Sequence, residues 1–179
     1  MQLVEPSLDR LEAYAAALRQ GWSPNNVRDV SGEQLAAIAA DAEGFIRQLT
    51  TPGGTITLGD GRVVPRLPGP VLWMWDGEFC GSIGLRHQPG TEELPAHVLG
   101  HIGYAVVPWK RRRGHATQAL RQILPHARAA GLRWVDLTTD PDNAPSQRVI
   151  LANGGVLLDH LPPDEADHAR LLWRIVLPA

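Results

Sequence analysis

Between His97 and Thr139 the residue pattern turns from strand to helix and back to strand, which restricts this chain to folds built on a β-α-β connection. His97 to Val107 reads as one long strand, interrupted by Gly100 and Gly103 where a bulge could sit. Pro108 closes it. Ala116, Leu120, Ile123, Leu124 and Ala127 then recur at helical spacing, Pro125 is expected to bend that helix, and Gly131 stops it before Trp134 to Thr139 opens a second strand. Such a unit, about forty residues long, predicts a right-handed crossover to a parallel neighbour. The turn from strand to helix is cationic: Lys110, Arg111, Arg112 and Arg113 precede Gly114. Four consecutive basic residues are most often a solvated charge run. Here a strand leads in and a helix leads out, so the free N–H groups and dipole of the helix N-terminus face the same loop and favour an anion such as phosphate.

The flanking segments are ordinary in kind. Ser7 predicts a helix running to about Gln20, with Leu8, Leu11, Ala15 and Leu18 on one face and Gly21 as its stop. Ser31 with Gln34 forms a capping-box pattern, and Leu35, Ile38, Ala42, Phe45, Ile46 and Leu49 continue as a second amphipathic helix. This pair could flank a substrate groove. Thr51 to Pro70, dense in Gly and Pro, reads as an irregular or short-hairpin connection. Val71 to Trp75 and Glu78 to Arg86 flank Asp76-Gly77, a strong hairpin signal. Asn143 to Asn153 predicts a short helix ended by Gly154-Gly155, and Val156 to His160 and Leu171 to Leu177 predict two closing strands.

Composition narrows the function classes. With 179 residues and 44% hydrophobic content, the expectation is one domain spanning 1–179 with its own core. A net charge of -2 argues against a general nucleic-acid or membrane-surface binder. Cys80 is the only cysteine, which excludes an internal disulfide and a multi-cysteine metal site, and the seven histidines show no HExxH spacing, so no metal is expected. No stretch approaches the roughly 20 apolar residues that cross a bilayer. A cytoplasmic location is the expectation, and exposed edge strands fit a homodimer.

Arg111, Gly114 and Ala116 match a phosphate loop of the form Arg or Gln, two residues, Gly, one residue, Gly or Ala. With Val106-Val107-Pro108 before it, a helix after it, and Asn143 with Ser146 beyond the next strand, the stretch from Val71 to Leu158 resembles the GNAT superfamily of acyl-CoA-dependent N-acetyltransferases. The resemblance implies a mixed α/β fold: a GNAT-like central mixed sheet with a parallel splayed strand pair, flanked by helices. It implies acetyl-CoA as co-substrate and a primary amine, of a small molecule or a peptide, as acceptor in a direct attack. Carried over, Val107 and Val106 would bond the pantetheine arm and polarise the thioester. Arg112, Arg113, Gly114, His115, Ala116 and Thr117 would cradle the phosphates, and Asn143 with Ser146 would bond the pantetheine or orient groups near the sulfur.

His101 stands on the strand where related enzymes often place a glutamate, so it is the first candidate for drawing a proton from the acceptor. Glu78 is the second. The tyrosine that many family members use to protonate the departing thiolate is replaced by Ile150, leaving Ser146, Tyr104, water or direct thiolate departure. That replacement also supports an alternative, a catalytically weak acyl-CoA-binding regulatory module. Trp22 and Trp75 are candidates for lining the acceptor site.

Overall fold

A computed structural model describes residues 1–58, 61–162 and 169–178. Its elements run β1 (Gln2–Val4), α1 (Leu8–Arg19), α2 (Ser31–Ala40), α3 (Ala42–Thr50), β2 (Thr55–Thr57), β3 (Val63–Pro65), β4 (Val71–Trp75), β5 (Phe79–Leu85), β6 (Ile102–Val106), α4 (His115–Ala129), β7 (Trp134–Thr139), α5 (Ala144–Leu151), β8 (Val156–Leu161) and β9 (Arg170–Val176), with a turn of 3-10 helix at Pro108–Lys110. One sheet has the order β1-β4-β5-β6, a second β7-β9-β8, and β2 with β3 forms a separate hairpin.

Strand β4, with the sequence VLWMW, shows why the layers form. Its central residues are buried on both faces, so the strand reads as a continuous apolar run rather than an alternation. Leu72 and Met74 pack with Ala119, Leu120, Ile123 and Ala127 of α4 and with Val135, Leu137, Trp173 and Ile175 of the second sheet. Trp73 points the other way, into a cluster with Tyr14, Trp22, Phe45 and Phe79. Tyr14 stacks on Trp73 at 4.8 Å between ring centroids. Pairs of this kind add about 0.5–1.5 kcal/mol to what area burial supplies. Trp22, 3% exposed and edge-on to Tyr14 and Phe79, belongs to this core and not to an acceptor wall. Trp75 is half-buried, with the Arg10 guanidinium over its ring at 5.5 Å.

Three expectations are corrected. The long strand from His97 shrinks to Ile102–Val106; His101 lies in the bend just before it, because its N–H turns away to Asp136 O at 2.7 Å. The second amphipathic helix is two helices: Asp41 interrupts it and caps α3 by accepting from the Gly44 amide at 2.8 Å. Ser31 caps nothing, since Val30 is the N-cap of α2, and Gln34 instead accepts from the Tyr14 hydroxyl. The Asp76-Gly77 hairpin stands as expected, as do the connection through β2 and β3 and the two closing strands. Helix α4 carries on past Pro125 to Ala129. It links β6 to β7, but the parallel pairing expected of that crossover is absent among the described residues: the two strands share no ladder and edge two different sheets, whose pairings are all antiparallel.

Candidate active site

The loop after β6 is a backbone device. Arg111 is extended, Arg112 takes a left-handed φ of +63°, and Gly114 takes φ +77° as the N-cap of α4. A left-handed arginine is uncommon and costs conformational energy, and such outliers gather at ligand sites. Gly114 is there for two reasons: its φ suits glycine, and a Cβ would point into space where the nearest atom is Gln118 Nε2 at 3.9 Å. Arg111 N donates back to Pro108 O at 3.3 Å, and the next amide to find an acceptor is that of Gln118, which donates to Gly114 O at 3.0 Å. Among the described residues, the amides of 112 through 117 have none. Six successive free N–H groups around a helix N-terminus, under the exposed Arg112 and Arg113, are what a polyanion needs.

Lys110 of the basic run and His115 beyond it turn inward instead. Lys110 is buried, and its Nζ donates to Asp76 Oδ1 at 2.9 Å and meets Glu78 Oε2 at 2.7 Å. That ammonium holds the Asp76 carboxyl down to about 2. The imidazole of His115 is also buried, leaving only its amide on the loop surface. Glu78 therefore serves as a partner for Lys110 on the hairpin turn, away from the strand edge described next.

In β6, pairing with β5 fixes which backbone groups are free. Val107 N donates to Cys80 O at 3.0 Å, and Arg86 N donates to His101 O at 2.9 Å. Antiparallel alternation then points the N–H and C=O groups of Ile102, Tyr104 and Val106 to the opposite edge. The Val107 N–H expected to polarise a thioester is thus already given to Cys80 O, and its carbonyl accepts from Lys110 N. The Val106 N–H lies on the open edge. Two side chains already cap this edge: Asn26 Nδ2 donates to Tyr104 O at 3.0 Å, and Arg111 Nε donates to Val106 O at 3.2 Å.

Strand β7 approaches the edge only at its start. His101 Nδ1 accepts from Asp136 N at 2.9 Å, complementing the bond from His101 N to Asp136 O. Gly100 permits this contact, since a Cβ there would lie 2.9 Å from Asp136 O. The His101 ring is fully buried, and burial holds its pKa below the usual histidine value. It is therefore neutral, with its lone pair spent on Asp136 and its proton on Nε2.

Helix α5 closes the far side. Asn143 caps it by accepting from Ser146 N at 3.1 Å, and Ser146 Oγ lies 2.7 Å from the Tyr104 hydroxyl. Burial pushes Tyr104 up to about 12, against the opposing pull of the Ser146 bond. Ile150 is buried in the main core, so no polar group replaces it there. The structure thus joins Tyr104 to Ser146 and sets Val106 beside the phosphate loop, while His101 and Glu78 go to other partners. Asn26 and the Lys110–Asp76 pair had no signal in the sequence, because each depends on a contact across more than thirty positions.

Comparison with known proteins agrees with this geometry. Three solved structures share the fold. RimL, a ribosomal L7/L12 alpha-N-protein acetyltransferase in complex with coenzyme A, has a TM-score of 0.64 at 13% identity, covering 98% of this chain and 93% of that one. The microcin C7 self-immunity acetyltransferase MccE, in complex with acetyl-CoA and AMP, gives 0.60 at 14% identity over 98% and 91%. RimJ of Mycobacterium smegmatis, in complex with CoA-disulfide, gives 0.60 at 21% over 97% and 80%. No curated protein sequence matches. Residues 45–154, more than half of the chain and inclusive of the loop, the β6 edge and α5, match the acetyltransferase (GNAT) family, and the chain belongs to that family.

Proposed function

We propose that this acetyltransferase moves the acetyl group of acetyl-CoA to the amine of a small molecule or a peptide by direct attack. The observation that carries this reading is the succession of two sets of free backbone N–H groups, the amides of 112–117 and those of Tyr104 and Val106 on the outer edge of β6, whose carbonyls are held by the Asn26 and Arg111 side chains. The loop would hold the phosphates, the Tyr104–Val106 edge would align the pantetheine on the side facing β7, and the Val106 N–H would polarise the thioester carbonyl. Asn143, the N-cap of α5, would then stand near the sulfur. As the amine nitrogen bonds to the carbonyl carbon, the C–S bond breaks and the sulfur leaves with the electron pair. Tyr104, bonded to Ser146, would give the sulfur its proton, the task that Ile150 cannot perform, while the proton shed by the acylated nitrogen passes to water and Tyr104 regains its own from water.

Alignment of donor and acceptor contributes on the order of 7–11 kcal/mol, against about 3–5 kcal/mol for a single acid or base. The weight of the mechanism therefore lies on positioning. Since the His101 lone pair is taken and Glu78 is held by Lys110, the acceptor that suits the site best is one that loses its proton easily. A peptide α-amine, with a pKa near 7.7–8.0, fits better than a lysine side chain near 10.4.

The test is release of free thiol from acetyl-CoA with a panel of amines of graded pKa at neutral pH. Turnover that rises as the amine pKa falls supports the reading. Binding of acetyl-CoA without thiol release for any amine would reduce the chain to a binding module.

A further inference from the structure

We propose that Asp76, Cys80 and His115 form a binding site for one zinc-type divalent cation, clamping the β4–β5 hairpin to the first residue of α4. Asp76 and Cys80 sit on one hairpin and His115 far beyond it in sequence, yet a carboxylate oxygen, the thiol sulfur and a ring nitrogen all lie within 4.8 Å of one another. Each donor type suits zinc.

The second observation is His115 itself. The residue is 7% exposed and neither ring nitrogen has a hydrogen-bond partner, an expensive state for a buried imidazole. Its Nε2 faces Asp76 Oδ2 at 3.4 Å. Zinc bonds of about 2.0–2.2 Å to nitrogen and oxygen place tetrahedral neighbours about 3.4 Å apart, so this edge of the coordination shell is already built.

Lys110 does not compete for the position. It takes the other carboxylate oxygen, Oδ1, and is itself answered by Glu78, in the manner of an outer partner that orients a ligating carboxylate. On binding, the Cys80 thiol releases its proton to solvent, and the thiolate and the Asp76 carboxylate together balance the two charges of the cation. A surface cavity of about 400 Å³, lined by Met1, Gln2, Trp75, Asp76 and Gly77, adjoins the carboxylate of the three. Acetyl transfer as described above uses no metal, so this site stands or falls separately from it.

The full chain, dialysed against a chelator, is titrated with Zn²⁺ by calorimetry and with Co²⁺ by absorption. One equivalent bound, with a thiolate-to-cobalt charge-transfer band, is the expected result. Cys80→Ser should abolish the band while circular dichroism shows a folded protein, and His115→Ala should weaken Zn²⁺ by more than about 100-fold, beyond the usual cost of losing an outer partner. A band absent from the unaltered chain, a band that survives Cys80→Ser, or equal Zn²⁺ affinity in His115→Ala would each overturn the site.

Discussion

The two ends of the exposed β6 edge are built from different materials. At the Val106 end the site is main chain: free amides, one left-handed arginine and one left-handed glycine within six positions. At the His101 end it depends on side chains that meet distant segments, with Asn26 on Tyr104 O, Ser146 on the Tyr104 hydroxyl and the His101 ring on the Asp136 amide. A backbone site is set by local conformation and tolerates changes in side-chain identity; a side-chain site depends on packing and does not. The contrast sorts the variants that follow.

Gly114→Val should have the largest effect and should fall on one end alone. A β-branched residue at φ +77° forces the loop out of its conformation and would cost at least two charge-assisted amide bonds to phosphate, each about 1.5–3 kcal/mol. The expected loss of acetyl-CoA affinity by calorimetry is about 1,000-fold, or ~4 kcal/mol, with the fold retained. Unchanged affinity would show that the free amides are not the cradle.

Tyr104→Phe addresses the other end through the rate. The hydroxyl, pushed up to about 12 by burial, keeps its proton through neutral and moderately alkaline pH, so it can act as the acid throughout that range. Its removal should lower kcat by about 100-fold, the lower end for acid catalysis because a thiolate leaves readily, and leave the KM for acetyl-CoA nearly as it was. A kcat equal to that of the unaltered chain would assign proton delivery to water.

The same contrast explains what could be read in advance. The Arg111 to Ala116 loop, the Asp76-Gly77 hairpin and the Asn143 cap were legible because each is a short-range conformational requirement written in neighbouring residues. The fate of Val107 was not: choosing between it and Val106 requires the register with β5, which a one-residue shift would reverse. Lys110 read as part of the basic loop and His115 as part of the phosphate cradle, yet both side chains are buried against Asp76 on a hairpin more than thirty positions earlier. The helix after Ser31 was placed correctly but taken as one, because its apolar spacing runs through Asp41 while the cap that breaks it is a single side chain.

His101 gives a finer test of the side-chain end. If it ties β6 to β7, His101→Ala leaves the half-buried Asp136 amide without an acceptor and should cost about 1–3 kcal/mol of stability, while His101→Asn, which offers an oxygen near the Nδ1 position, should recover much of it. Burial lowers the folded-state pKa, so the unfolded chain binds more protons below the ordinary value of 6.5. The contribution is complete above that pH and is lost as pH falls toward the folded pKa; the Ala variant should lack this share of the acid loss in thermal unfolding. A pH-rate profile altered in both variants, with stability unmoved, would restore His101 as the base.

Asn26→Ala should move the least, and its sign is what matters. Asn26 donates to the Tyr104 carbonyl from the connection between α1 and α2, on the edge where a pantetheine amide would donate. Two donors cannot share that direction, so acetyl-CoA must displace Asn26 or leave the bond unmade. A net hydrogen bond of about 0.5–1.5 kcal/mol sets the competition, and removing the competitor should tighten acetyl-CoA by about two- to tenfold in calorimetry. The same logic covers Arg111, whose Nε holds the Val106 carbonyl and would be freed toward the phosphates when that carbonyl gains another donor. Weaker binding in Asn26→Ala would make Asn26 a ligand contact in its own right, and the two ends of the edge would then both be read by side chains.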